Sequence, residues 1–240
     1  MADADGNEGM GKKMVRWGAI RKLVATIAFI SLATVAKADA ACRIAVLGDS
    51  LASSYGLALA EGFPARLEQR LAAAGYDCEV LDAGVAGDTS AGGRARLDWL
   101  LADEPSHVIV ELGGNDGLRA LPPEEMERNL DAILARLAAE GIPVLLAGML
   151  APPNLGPDYG AEFAAVFPRL AEKHAVPLYP FFLEGVAGDP NLNQRDGIHP
   201  SAAGIERIVD GIFPTVEGWL AAAPTDAAAS LLDEPAVVSD

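Results

Sequence analysis

Short unbroken apolar runs alternate along this chain with longer stretches in which apolar residues return every third or fourth position. Cys42-Arg43-Ile44-Ala45-Val46-Leu47 is the first such run. An apolar run of that length without alternation reads as a strand buried on both faces, as in a parallel sheet. Cys78-Glu79-Val80-Leu81, His107-Val108-Ile109-Val110-Glu111-Leu112, Pro143-Val144-Leu145-Leu146-Ala147 and Val176 to Tyr179 repeat the pattern. Between them lie helical stretches. Pro64 to Ala74 has proline in its first turn, Leu67 and Leu71 on one face, and Gly75 to end it. A second helix reaches about Leu101. Pro123 opens a third, with Met126, Leu130, Ile133, Leu134 and Leu137 on one stripe and Gly141 as its stop. Tyr159 to His174 reads as a helix that Pro168 should kink or split. A last helix runs from Pro200 to about Leu220. Strand and helix alternating about five times predict an α/β fold: one parallel sheet with helices on both faces.

The ends of the chain differ from this pattern. Lys12, Lys13, Arg16, Arg21 and Lys22 precede the apolar run Leu23 to Val35, and small residues follow at Ala36, Ala38 and Ala40. That order is expected of a secretory signal peptide, residues 1–38, cleaved after Ala38 or Ala40. The run is short for a bilayer span, and an uncleaved anchor is the alternative reading. Residues 39–220 form the predicted domain. Residues 221–240 are rich in Ala, Pro and acid, lack periodicity, and read as a tail.

The net charge of −16 argues against a nucleic-acid partner. Cleavage after Ala38 would remove more basic than acidic residues and leave the remainder more acidic still. The sequence points to no stable membrane span in the mature form, and nothing in it suggests an oligomer. An exported protein sits where disulfides persist. Cys42 and Cys78 open two strands expected to be neighbours, so a bridge between them and two free thiols are the alternatives.

Three loops should meet at the carboxyl edge of the sheet, where open α/β sheets place ligands. They are Gly48-Asp49-Ser50, Gly84 to Thr89 and Gly113 to Asp116. Each is ordinary turn chemistry taken singly. A serine nucleophile needs a base, and the chain has three histidines. His107 begins a strand, at the far edge. His174 ends a helix, where a solvated position is expected. His199 remains, with Asp196 three residues before it, close enough to hold one ring nitrogen while the other faces Ser50. Alternatively, Asp196 is a local cap. An oxyanion needs preset donors, which the Ser50 N–H, the Gly87 N–H and the Asn115 amide could supply. There is no G-x-S-x-G elbow, P-loop or G-x-G-x-x-G after the first strand, and no metal-ligand spacing. Lys173 is the only lysine after Lys37, which disfavours phosphoryl chemistry.

With Gly48-Asp49-Ser50-Leu51, Gly84 to Thr89, Gly113-Gly114-Asn115-Asp116 and Asp196-Gly197-Ile198-His199-Pro200 in order, the chain resembles the SGNH, or GDSL, hydrolases. Ser50, Gly87, Asn115 and His199 match the four residues that give the family its name. Val110 to Arg119 and Pro177 to Phe182 are similar to the bacterial periplasmic thioesterase I, arylesterase and lysophospholipase group. The resemblance implies a flavodoxin-like three-layer sandwich of five parallel strands, a Ser50–His199–Asp196 triad, no cofactor and small-molecule ester or acyl-thioester substrates. It also implies a loop over residues 117–123 that closes on an acyl chain. Asp49, Asp116, Leu118, Leu150 and Pro152 are the candidate substrate-binding residues. The segment 149–159 carries Ala151-Pro152-Pro153, a departure expected to alter chain-length preference. The rival readings are a carbohydrate or peptidoglycan O-acetylesterase on the same fold and a binding module without catalysis.

Overall fold

The computed structural model describes residues 42–222. The predicted leader, and all but the first two residues of the predicted tail, lie outside the described residues. Five strands form one parallel sheet in the order β2-β1-β3-β4-β5. They are β1 (Cys42–Gly48), β2 (Cys78–Gly84), β3 (His107–Glu111), β4 (Val144–Ala147) and β5 (Leu178–Tyr179). Ile44 to Leu47, Val108 to Val110 and Val144 to Ala147 are buried, because helices cover both faces of the central strands.

The helices are α1 (Phe63–Ala73), α2 (Ser90–Ala95), α3 (Leu97–Ala102), α4 (Gly114–Leu118), α5 (Pro123–Ala139), α6 (Pro157–His174) and α7 (Ala202–Ala222). α1 packs with α7, and α5 packs with α2 and α6, as two groups of helices. The chain leaves β1 toward β2 and then returns past β1 to β3. The C-terminal ends of β1 and β3 are therefore the topological switch point, where this architecture opens a crevice.

Several local expectations are corrected. The helix expected to reach Leu101 is two helices, α2 and α3, parted at Arg96. Arg96 is drawn aside to bond Asp88 at 2.6 Å and the Gly48 carbonyl at 2.8 Å. The Gly113–Asp116 loop is largely the first turn of α4, entered through Gly113 at φ +121°. That conformation suits glycine. Pro168 does not split α6, which runs unbroken from Pro157 to His174. Phe163, Val166, Phe167 and Leu170 bury one face of it on both sides of the proline, and that packing outweighs one missing backbone hydrogen bond. His174 is not a solvated helix end. Its Nε2 lies 2.6 Å from Asp131, which also bonds Lys173 at 2.7 Å, tying the end of α6 to α5. His107 stands at the far edge, its ring edge-on to buried Trp219.

Cys42 and Cys78 face one another in the β1–β2 register, Cα atoms 4.5 Å apart, and their sulfurs are bonded. The bridge joins the N-terminal ends of the two strands, opposite the crevice.

Candidate active site

β1 ends at Gly48, and the chain turns at once into the Asp49–Ser54 segment, where the Ser53 N–H returns to the Asp49 carbonyl at 3.1 Å. Asp49 Oδ1 accepts the Leu51 N–H at 2.9 Å, an Asx turn that fixes the intervening Ser50. On the other side, the stretch before α7 folds back on itself. Asn193 bridges Pro200, Gln194 N–H donates to the His199 carbonyl at 2.7 Å, and Gly197 takes φ +71° at the tip. Gln194 Nε2 then reaches the Tyr55 carbonyl at 2.9 Å, fastening this turn to the Ser50 loop.

The result is a continuous line of three side chains. Asp196 Oδ2 lies 2.7 Å from His199 Nδ1, and His199 Nε2 lies 2.9 Å from Ser50 Oγ. Asp196 Oδ1 meanwhile accepts the N–H groups of Ile198 at 2.9 Å and His199 at 3.0 Å. These bonds hold the Asp196 carboxyl down at about 2, the Ile198 N–H contributing most and the His199 ring next. Ionised, Asp196 can only accept, so His199 Nδ1 carries the proton. In the neutral ring Nε2 is then the acceptor, aimed at the Ser50 hydroxyl.

Gly87 sits at φ +85° in the loop after β2. Neither its N–H nor that of Ser50 donates to a protein acceptor among the described residues. Asn115, in the first turn of α4, donates one amide hydrogen to Asp49 Oδ2 at 2.8 Å. Among the described residues its second amide hydrogen has no acceptor. A cleft of about 330 Å³ lies over these groups, lined by Ser50, Leu51, Tyr55, Ala86, Gly87, Asn115, Leu118, Ile198 and His199 among others.

A model of the GDSL-like lipase/acylhydrolase family matches residues 46–207, which hold all of these groups. The chain belongs to that family. It is an ester hydrolase. The esterase TesA of Pseudomonas aeruginosa is 44% identical over 192 residues, 80% of this chain and 96% of that protein. An arylesterase of Vibrio mimicus is 36% identical, with 75% and 89% covered. Thioesterase 1/protease 1/lysophospholipase L1 of Escherichia coli K12 is 41% identical, with 69% and 78% covered. In structure, TesA superposes with a TM-score of 0.71, covering 74% of this chain and 99% of that one at 45% identity. The psychrotrophic esterase EstA from Pseudoalteromonas sp., inhibited by monoethylphosphonate, gives the same TM-score at 36% identity, with 75% and 99% covered.

Within this GDSL hydrolase the expected substrate-binding residues separate. Leu118 lines the cleft and is exposed. Asp49 lies at its floor, 1% exposed, with both carboxylate oxygens engaged by Leu51 and Asn115. Burial pushes the Asp49 carboxyl up to about 6, against those two hydrogen bonds. Asp116 turns inward, where it accepts the Ser90 N–H at 2.8 Å and the Ser90 hydroxyl at 2.6 Å, locking α4 to α2. Leu150 is exposed away from the cleft lining, and Pro152 packs toward Gly117. Tyr55 and Gln194 escape a motif-based reading, and Ile198 lines the cleft from within the Asp196–Pro200 motif. Tyr55 lies against the His199 ring, centroids 4.4 Å apart and the planes tilted by 35°. Its only sequence signal is an aromatic residue in an otherwise small, polar loop. Among the described residues, no three His, Cys, Asp or Glu side chains cluster to hold a metal ion, and no helix is long and apolar enough to cross a membrane.

Proposed function

We propose that this hydrolase cleaves carboxylic esters and acyl thioesters through an acyl-enzyme on Ser50. The observation that carries the reading is the continuous line from Asp196 to His199 to Ser50, at 2.7 and 2.9 Å. Ser50 Oγ attacks the carbonyl carbon while His199 Nε2 takes its proton. Asp196 orients the ring and offsets the charge that forms on it. The carbonyl oxygen, now an oxyanion, is met by the N–H groups of Ser50 and Gly87 and the free amide hydrogen of Asn115. Collapse expels the alcohol or thiol, which takes the proton from His199. Water, deprotonated by His199, then releases the acid and restores Ser50.

The walls of the cleft favour an apolar acyl or aryl group. Leu51, Tyr55, Ala86, Leu118 and Ile198 surround the reactive serine. Relatives named esterase, arylesterase and thioesterase/lysophospholipase support the same substrate class. The basic and apolar segment ahead of residue 39 supports a mature protein outside the cytoplasm, and N-terminal sequencing of the exported product tests it.

The deciding experiment is hydrolysis of p-nitrophenyl esters from acetate to palmitate, beside Ser50→Ala, with phosphonate labelling of both proteins. Activity beyond acetate, lost together with labelling in Ser50→Ala, is the expected result. Equal rates from both proteins would remove Ser50 as nucleophile. Activity confined to acetate would replace the acyl-chain reading with an acetylesterase.

A further inference from the structure

Beneath the reactive serine lies an acid that the proposed relay does not use. Glu111 is the last residue of β3 and pairs in register with Gly48 at the end of β1. It is fully buried. Its Oε2 accepts the Asp49 N–H at 3.4 Å, and among the described residues its Oε1 has no partner. The space it fills exists because residue 48 is glycine: a Cβ there would stand 2.9 Å from Glu111 Oε2 and 3.1 Å from the Glu111 carbonyl. Asp49, whose peptide Glu111 touches, bonds the Asn115 amide through its own carboxylate at 2.8 Å. Ser50 follows directly.

We propose that Glu111 is a positioning residue for acyl transfer, holding the Asp49 peptide and, through the Asp49 carboxylate, the Asn115 amide where the oxyanion needs them. The proposal rests on the roles given above to Ser50 and Asn115. An acid this deep cannot ionise cheaply beside Asp49. Burial first, and the Asp49 charge second, push its carboxyl well above the usual carboxylate range. With one long N–H contact and no cation bonded to it among the described residues, the neutral form of Glu111 is the favoured one, and the Asp49 carboxylate grips Asn115. The other charged groups around the pair are Asp116 and His199, both felt by Asp49, and Arg96, which bonds the Gly48 carbonyl and is itself paired with Asp88. None of them offers Glu111 a cation in contact.

Two consequences separate positioning from mere filling of space. A neutral amide reproduces what Glu111 offers the Asp49 N–H, whereas an alkyl side chain leaves that N–H without an acceptor. A serine hydrolase whose base is histidine also gains activity as the histidine loses its proton and then holds level, so a loss at higher pH requires another group. Ionised Glu111 would place a second negative charge against Asp49 and disturb the turn.

The test is kcat and KM on one p-nitrophenyl ester across neutral and alkaline pH for the parent, Glu111→Gln and Glu111→Leu. Glu111→Gln should match the parent where Glu111 is neutral and lack the parent's loss of kcat as Glu111 ionises with rising pH. Glu111→Leu should lose kcat by roughly 10-fold or more, up to the ~10²–10³ that removal of an oxyanion donor costs, with KM little changed. Superimposable pH profiles for the parent and Glu111→Gln would overturn the proposal, as would parental kcat in Glu111→Leu. The Gln comparison stands if the Leu variant does not fold. Ser50→Ala and Asn115→Ala measured alongside keep the two readings apart: parental activity in either removes the mechanism itself, whereas their inactivity with matching parent and Gln profiles removes only the role of Glu111.

Discussion

The Cys42–Cys78 bridge lets stability be separated from catalysis. The perturbation is the double variant Cys42→Ser/Cys78→Ser. The two cysteines are 36 residues apart in sequence, and the bridge closes β1, α1 and the start of β2 into one loop. Constraining a loop of that length in the unfolded chain is worth about 4 kcal/mol in the chain-entropy model. For a domain of this size each kcal/mol moves the melting temperature by ~2–4 °C, so a fall of roughly 8–15 °C is expected. The native register should survive, because β1 remains hydrogen-bonded to both β2 and β3. Urea unfolding followed by circular dichroism measures the loss, and the slope with denaturant should rise as the unfolded chain expands. Activity at 25 °C should be unchanged. Cys42 stands at one end of β1 and Gly48 at the other, roughly 20 Å away at the usual rise per strand residue. A loss below about 1 kcal/mol would refute the loop argument. A folded variant that has lost esterase activity would refute the separation of bridge from site.

Other expectations follow from single contacts. Asn115→Ala should lower kcat by on the order of 10²–10³ with little change in KM, read from ester hydrolysis at saturating substrate. Gly204→Ala would drive a Cβ into the Leu192 carbonyl at the start of α7, so a loss of about 1–3 kcal/mol or more is expected in urea unfolding. Asp131 is held below the usual aspartate range by hydrogen bonds from Lys173 first and His174 second. Its contribution is therefore present above the ordinary aspartate value and lost as pH falls through the lowered one. Asp131→Asn should cost about 1 kcal/mol or less at neutral pH and nothing in strong acid. Glu111 has the opposite sign. With its folded value raised, stability should fall by about 1.4 kcal/mol per pH unit between the ordinary glutamate value and the raised one. Glu111→Gln should remove that part of the slope in a stability series against pH.

The strands and the proposed relay were legible for a physical reason. A strand buried on both faces must be apolar along its length, so Ile44 to Leu47 and Val144 to Ala147 stand out without any alternation to detect. The relay needs a base, and only one of three histidines follows an aspartate beyond the last strand. What sequence could not show is which way a polar side chain turns once its loop is placed. Asp49 and Asp116 sit in the expected loops, yet both are buried with their carboxylates engaged by the protein, Asp49 at the floor of the cleft and Asp116 turned away from it. α4 escaped notice because five residues are too few for a helical period, and Gly113-Gly114-Asn115-Asp116 is turn-forming in composition.

Glu111 is the instructive case, because the same rule that revealed its strand also marks the residue. It lies inside the run Val108 to Leu112, and a position inside such a run is buried whatever its side chain. A carboxyl there must be paired with a cation, bonded by several donors, or protonated. Among the described residues no cation bonds it, and a single long N–H contact is too little to hold a charge. Protonation is what remains, and a protonated acid bonded to the Asp49 peptide, next to the proposed nucleophile, is a group that the pH of the medium can change. The apolar pattern that predicts a strand thus also predicts where an ionisable residue will have an abnormal charge state, provided that the polar member of the run is read as an exception to be explained and not as noise.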